Sequence, residues 1–160
     1  MTGTGSDQAE ERLTLHSRLS DIAQLPVWVE SIASRHAIPS DMQFAMDLCL
    51  EEVLVNIIRH GYGRESDLPI RVIFKTPRSG SYLFIVEDDA PHFDPLAAPA
   101  LSALDPSEDI RVGGQGIRLL RRFADTLDYQ PTPTGNQLYI GFSTDPSLKS
   151  PNVLSWKSPK

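Results

Sequence analysis

The amino-acid sequence predicts an α+β fold, a two-layer α/β sandwich with helices on one face of a mixed, mainly antiparallel sheet. Three observations predict it. Apolar and polar residues alternate with period two around Leu13, from Ile70 to Lys75 and from Leu138 to Phe142, as half-buried strands require. Helical apolar stripes cluster between the first and second of these stretches, with one more after a glycine-rich turn late in the chain. The joints are Gly/Pro turns, and 160 residues suit one well-cored domain rather than two.

Taken in order, residues 1–10 are polar and read as a disordered leader ahead of a domain over residues 11–143. Leu13 and Leu15 alternate with Thr14 and His16 as a short strand. Ser20 or Asp21 offers an N-cap, Pro26 sits where its missing N–H is harmless, and Leu25, Val29 and Ile32 with Trp28 form the stripe of the first helix. Pro39 follows its end. Ser40 and Gln43 have capping-box spacing, so a long helix is expected from about Asp41 to His60, stopped by Gly61 and Gly63. Ile70 to Lys75 is a strand, turned by Pro77, Ser79 and Gly80 into Tyr82–Val86, which is apolar on both faces and therefore expected at the centre of the sheet. The stretch from Ala90 to Val112 holds four prolines and no sustained period, the pattern of a lid or binding loop. Gly113, Gly114 and Gly116 then open a helix with the stripe Ile117, Leu119, Leu120 and Phe123. Leu127–Tyr129 and Leu138–Phe142 are the last strands, and residues 144–160 read as a flexible tail.

Composition narrows the function classes. A formal charge of −6 argues against nucleic-acid binding through a basic stripe, yet local donors and a metal can still hold a phosphate-bearing ligand. No run of eighteen apolar residues occurs and the N-terminus has no secretory pattern, so a cytoplasmic protein without a membrane span is expected. Cys49, the only cysteine, fits a reducing compartment.

Within the long helix, Glu52 and Asn56 are four residues apart and share a face, amid Val53, Leu54, Val55, Ile57 and Ile58. Burying a carboxylate without partners costs several kcal/mol, roughly, so the pair suggests a ligand. It also suits an ordinary polar helix margin, with Asn56 bonded to a loop. The glycines before the third helix leave free N–H groups and a positive dipole end for an anion, although such turns also arise from packing. Asp88 ends the central strand. His60, Arg121 and Arg122 read as structural or solvated, whereas Arg118 stands nearer the helix start.

Together these stretches resemble the ATP-binding domain of the GHKL superfamily (the Bergerat fold), and within it the small anti-sigma factor serine/threonine kinases of the RsbW and SpoIIAB kind. The resemblance spans roughly Leu13 to Phe142 and rests on EEVLVNIIRHGY (Glu51 to Tyr62), VEDDAPHFDP (Val86 to Pro95), GGQGIRLLRRFADTLDY (Gly113 to Tyr129) and TGNQLYIGF (Thr134 to Phe142). It implies ATP and Mg²⁺ as cofactors, with Asn56 as the metal ligand and Glu52 as the general base toward a serine or threonine hydroxyl. It implies Asp88 as acceptor of the adenine amino group, and Ala90, Gly114, Gly116 and Ile117 as further nucleotide contacts. Gly113 becomes the hinge of a lid over Pro91 to Val112. A sigma factor and a STAS-type anti-sigma-factor antagonist are the implied partners, and a homodimer the implied assembly. The family usually has glycine where this chain has Ala90, and Ala-Pro disfavours positive φ there. That departure leaves a second class open, a non-catalytic nucleotide-binding switch module. A water-directed ATPase motor would need transducer domains that 160 residues do not supply.

Overall fold

Alternation of side chains across a pleated strand gives the molecule its layers. In the computed structural model of the chain, which describes residues 9–97 and 114–145, strands β1 (Glu10–His16), β2 (Pro69–Arg78), β3 (Ser81–Asp88), β4 (Thr126–Pro131) and β5 (Asn136–Ser143) form one sheet. Its order is β1-β2-β3-β5-β4, and every pairing is antiparallel, so the expected mixed character is absent among the described residues. The proposed lid from residue 98 onward, Gly113, the leader up to residue 8 and the tail from residue 146 lie outside the described residues.

One face of the sheet carries the core. Leu15, Ile70, Val72, Phe74, Phe84, Val86, Leu138 and Ile140 join helical residues in a single buried cluster. Helix α1 (Gln24–His36) contributes Leu25, Val29 and Ile32, as its stripe predicts, and Trp28 meets Phe84 edge-on at 6.1 Å. On the opposite face a smaller apolar cluster of Ile73, Leu83, Ile85 and Tyr139 is buried. Over that face Arg71 bridges Glu87 and Asp89, Gln137 donates to Glu87, and Tyr139 donates to Gln137. The central position expected for β3 is the one it occupies.

Helix starts differ from the sequence reading because local acceptors found other donors. Leu19–Ala23 form a 3₁₀ turn, and Asp21 accepts the His16 N–H instead of capping α1. Helix α2 (Ser40–Asn56) begins without a side-chain cap; the Gln43 N–H is satisfied by the Pro39 carbonyl, so the capping box does not form. Its α-helical hydrogen bonding ends four residues before His60, at Asn56, where a π-helical turn over Ile57–Gly61 takes over. Nor is α2 buried on all sides: Met46, Leu50, Val53 and Leu54 face inward while Phe44 is 63% exposed. Helix α3 (Gly114–Phe123) packs on α2 through Leu120 and its neighbours.

Asp47 lies on the flank of α2 beside Glu30 of α1 and Glu51. Burial, then those two carboxylates, pushes its pKa up from 3.8 to about 6, and its Oδ1 has no hydrogen-bond partner. A carboxyl whose pKa rises on folding is cheapest to fold when protonated, so its contribution weakens the native state as pH climbs from 3.8 to about 6. Asp47→Asn is therefore expected to melt higher than the parent chain at pH 7 and no higher at pH 3.5, which thermal denaturation at the two pH values checks.

Candidate functional site

The candidate site residues lie on three elements: one flank of α2, the start of α3 and the end of β3. On α2, Cys49, Glu52 and Asn56 follow at three- and four-residue intervals and so share one flank. Cys49 Sγ lies 4.0 Å from the Leu119 carbonyl of α3, which turns that flank toward α3. Glu52 and Asn56 are both half-buried, in a wall rather than in open solvent. Cys49 itself is sealed, and burial, followed by the charge of Glu52, pushes its thiol up to about 12. It is a packing residue, not a nucleophile.

Asp88 is the last residue of β3 and only 6% exposed. Burial raises its pKa, against which two donors to Oδ1 work: the Asn136 amide at 2.9 Å and the Ala90 N–H at 2.9 Å. With Oδ1 doubly occupied, Oδ2 is the oxygen left for a ligand donor. Asn136 stands opposite Asp88 in the β3–β5 register and does more than hold the carboxylate. Its amide also donates to the carbonyls of Ala90 at 3.2 Å and Pro91 at 3.1 Å, while its Oδ1 accepts from the Phe93 N–H at 3.0 Å and from the Tyr129 hydroxyl. His92 Nε2 pairs with the Thr132 carbonyl at 2.7 Å, tying the same loop to the β4–β5 turn. That turn needs glycine at 135, where a Cβ would fall 1.8 Å from the Asp88 carbonyl oxygen.

Ala90 occupies its place without positive φ and is 3% exposed. Its methyl packs against Gly61 instead of lining an open surface; a Cβ added at Gly61 would come within 3.2 Å of it. The turn after Asp88 is built around Pro91 and Asn136, whose amide donates to the Ala90 and Pro91 carbonyls. Gly114 and Gly116 lie in the first turn of α3, where N–H groups have no intrahelical acceptor and the positive dipole end suits an anion. Ile117 turns its side chain into the core, so only its backbone is open to a ligand. Arg118, Arg121 and Arg122 are exposed; Arg121 donates to the Leu96 carbonyl at 3.0 Å and Arg122 lies over the Phe123 ring. His60 is exposed on the π-helical turn.

Sequence reasoning singled out Glu52, Asn56, Asp88 and the glycines, and missed Asn136, Tyr62, Gly61 and Gly135. Asn136 carried a weak signal, an asparagine directly after a glycine turn and in register with Asp88. Among the described residues no group of three or more His, Cys, Asp or Glu is arranged to hold a metal ion, and no helix is long and apolar enough to cross a membrane. A single amide oxygen at Asn56 fits a hard cation that takes its remaining ligands from water and phosphate.

Residues 15–142 match the family of histidine kinase-like ATPase domains. Over 116 residues the chain is 32% identical to the serine/threonine-protein kinase BtrW of Bordetella bronchiseptica, covering 71% of this chain and 79% of that protein. The histidine kinase domain of the blue-light activated histidine kinase of Erythrobacter litoralis EL346 is similar at 18% identity and a TM-score of 0.45, over 78% of this chain and 60% of its own. A second structure of that kinase gives 18% and 0.49, over 76% of this chain and 41% of its own. The chain spans less than two thirds of either.

Removing the Asn136 amide leaves Asp88 and two loop carbonyls short of a donor. Asn136→Ala is expected to lower unfolding free energy by about 3 kcal/mol, as buried polar groups lose partners. A urea titration checks it, with the half-buried Gln137→Ala as the milder reference.

Proposed function

The chain belongs to the histidine kinase-like ATPase family, and from that premise we propose that it is an ATP-dependent protein serine/threonine kinase. It acts as an anti-sigma factor that phosphorylates a serine of a STAS-type anti-sigma-factor antagonist. The observation that carries the reading is the Glu52–Asn56 pair, half-buried on the flank of α2 turned to α3, with Asp88 at the strand end beyond. The 32% identity over 116 residues to a protein named as a serine/threonine-protein kinase supports it.

Each residue has a role that its surroundings suit. Asp88, with Oδ1 held by Asn136 and the Ala90 N–H, offers Oδ2 to the amino group of adenine and would repel the carbonyl oxygen of guanine at the same place. Asn56 offers its amide oxygen to Mg²⁺, and the first turn of α3 offers N–H groups to phosphate oxygens. Bound Mg-ATP supplies the transferable phosphoryl group and the charge neutralisation that such transfer needs. Glu52 accepts the proton of the acceptor serine hydroxyl as that oxygen bonds to the terminal phosphorus and the bond to the leaving ADP breaks. The half-buried setting of Glu52 keeps its carboxylate aimed while leaving it reachable by a partner's side chain.

The second reading, a switch module without chemistry, drew its force from Ala90. The burial of that methyl against Gly61 weakens it. Calorimetry with Mg-ATP beside a labelled-phosphate assay on a STAS antagonist separates the two. Glu52→Gln is expected to keep nucleotide affinity and cut transfer by roughly a hundredfold or more, the share of a general base. Undiminished transfer removes Glu52 from that role. Binding with no transfer by the parent chain favours the switch module.

A further inference from the structure

The helix with Glu52 and Asn56 and the strand end with Asp88 are joined by two contacts whose helix-side members, Gly61 and Tyr62, lie outside the residues assigned to the nucleotide. Both come from the π-helical turn that finishes α2. Its hydrogen bond from the Tyr62 N–H to the Ile57 carbonyl, 2.8 Å long, encloses one residue more than an α turn does. The turn delivers Gly61 and Tyr62 to the loop after β3. There the Tyr62 hydroxyl donates to the Pro69 carbonyl at 2.7 Å and accepts the Asp89 N–H at 2.9 Å. One phenol therefore pins the end of α2 to the start of β2 and to the residue that follows Asp88. Burial raises the pKa of that phenol, which keeps the donor proton in place across the physiological range. Beside it the Ala90 methyl sits on Gly61, with room for no side chain at position 61 unless the loop yields.

We infer that Tyr62 is a positioning residue for base recognition. Seated with Gly61 under the 88–90 loop, it sets where Asp88 stands relative to Glu52 and Asn56, so that one nucleoside triphosphate reaches both. The inference rests on the nucleotide reading above and goes beyond it, since neither residue touches the ligand. It also explains Ala90: alanine is tolerated at that position because its partner across the contact is glycine, and the two positions form one size-matched pair.

Tyr62→Phe keeps the ring in the core and removes both bonds. Calorimetry should show its affinity for Mg-ATP falling by roughly three- to tenfold, the scale of a lost hydrogen bond, while Mg-tripolyphosphate, which has no base, binds as before. In an Asp88→Asn background the same change should add no further loss. Gly61→Ala should weaken Mg-ATP binding, and Ala90→Gly in the same chain should restore it. An unchanged Mg-ATP affinity in Tyr62→Phe, or equal weakening of both ligands, overturns the inference, as does failure of Ala90→Gly to rescue Gly61→Ala. If Tyr62→Phe does not fold, the Gly61 and Ala90 variants decide alone. Failure of the parent chain to bind Mg-ATP refutes the nucleotide reading itself, and the positioning role with it.

Discussion

A carboxylate held inside the protein at the end of its central strand is the constraint on which the rest of the site depends. Asp88 is 6% exposed and burial works against its charge, so it persists only because Asn136 and the Ala90 N–H reach Oδ1. Those donors dictate much else. Asn136 must stand opposite Asp88, which requires β5 as the neighbour of β3 and a register that pairs the two residues. The turn before β5 must come close enough that only glycine fits at 135, and the loop after β3 must fold back over Asn136 to use its remaining hydrogen-bonding capacity. Sheet order, turn chemistry and loop path are thus consequences of satisfying one buried acid.

Helix α2 serves two purposes by dividing its circumference. Met46, Leu50, Val53 and Leu54 are buried in the core and anchor the helix, which frees the adjoining flank for Glu52 and Asn56. Polar groups on that flank are half-buried without being core residues. The π-helical turn that follows keeps Ile58 inside, leaves Arg59 and His60 exposed, and brings Gly61 and Tyr62 against the β3 loop. A regular α-helix to His60 would present different residues there, so the irregularity at the end of α2 belongs to the architecture of the site.

The sheet divides its labour as well. Its helical face carries nearly all the apolar core, whereas the other holds a cluster of four buried apolar residues alongside the polar side chains of Arg71, Glu87 and Gln137. Arg71 also reaches Asp89, beside the site, so this surface network ends where the Tyr62 contact begins.

Periodicity alone determined the strands, their alternation, the centrality of β3 and the stripe of α1, because these follow from which side chains must leave water. Glu52 and Asn56 were legible too, since polar groups amid aliphatic ones stand out in one dimension, whereas Asp88, one of three consecutive acids at a strand end, was singled out only through the family resemblance. Helix ends were not: Asp21 and the Gln43 N–H chose partners by proximity in space, and capping spacing cannot say which acceptor arrives first. Nor could the sequence reveal that Asn136, 48 positions from Asp88, is its chief partner, or that Ala90 is matched by Gly61. A hydrogen bond or a methyl contact between distant segments exists only once strand register and helix phase have been settled. Tertiary structure therefore decided the support of the candidate site, while the chain's pattern had already supplied the groups proposed to work in it.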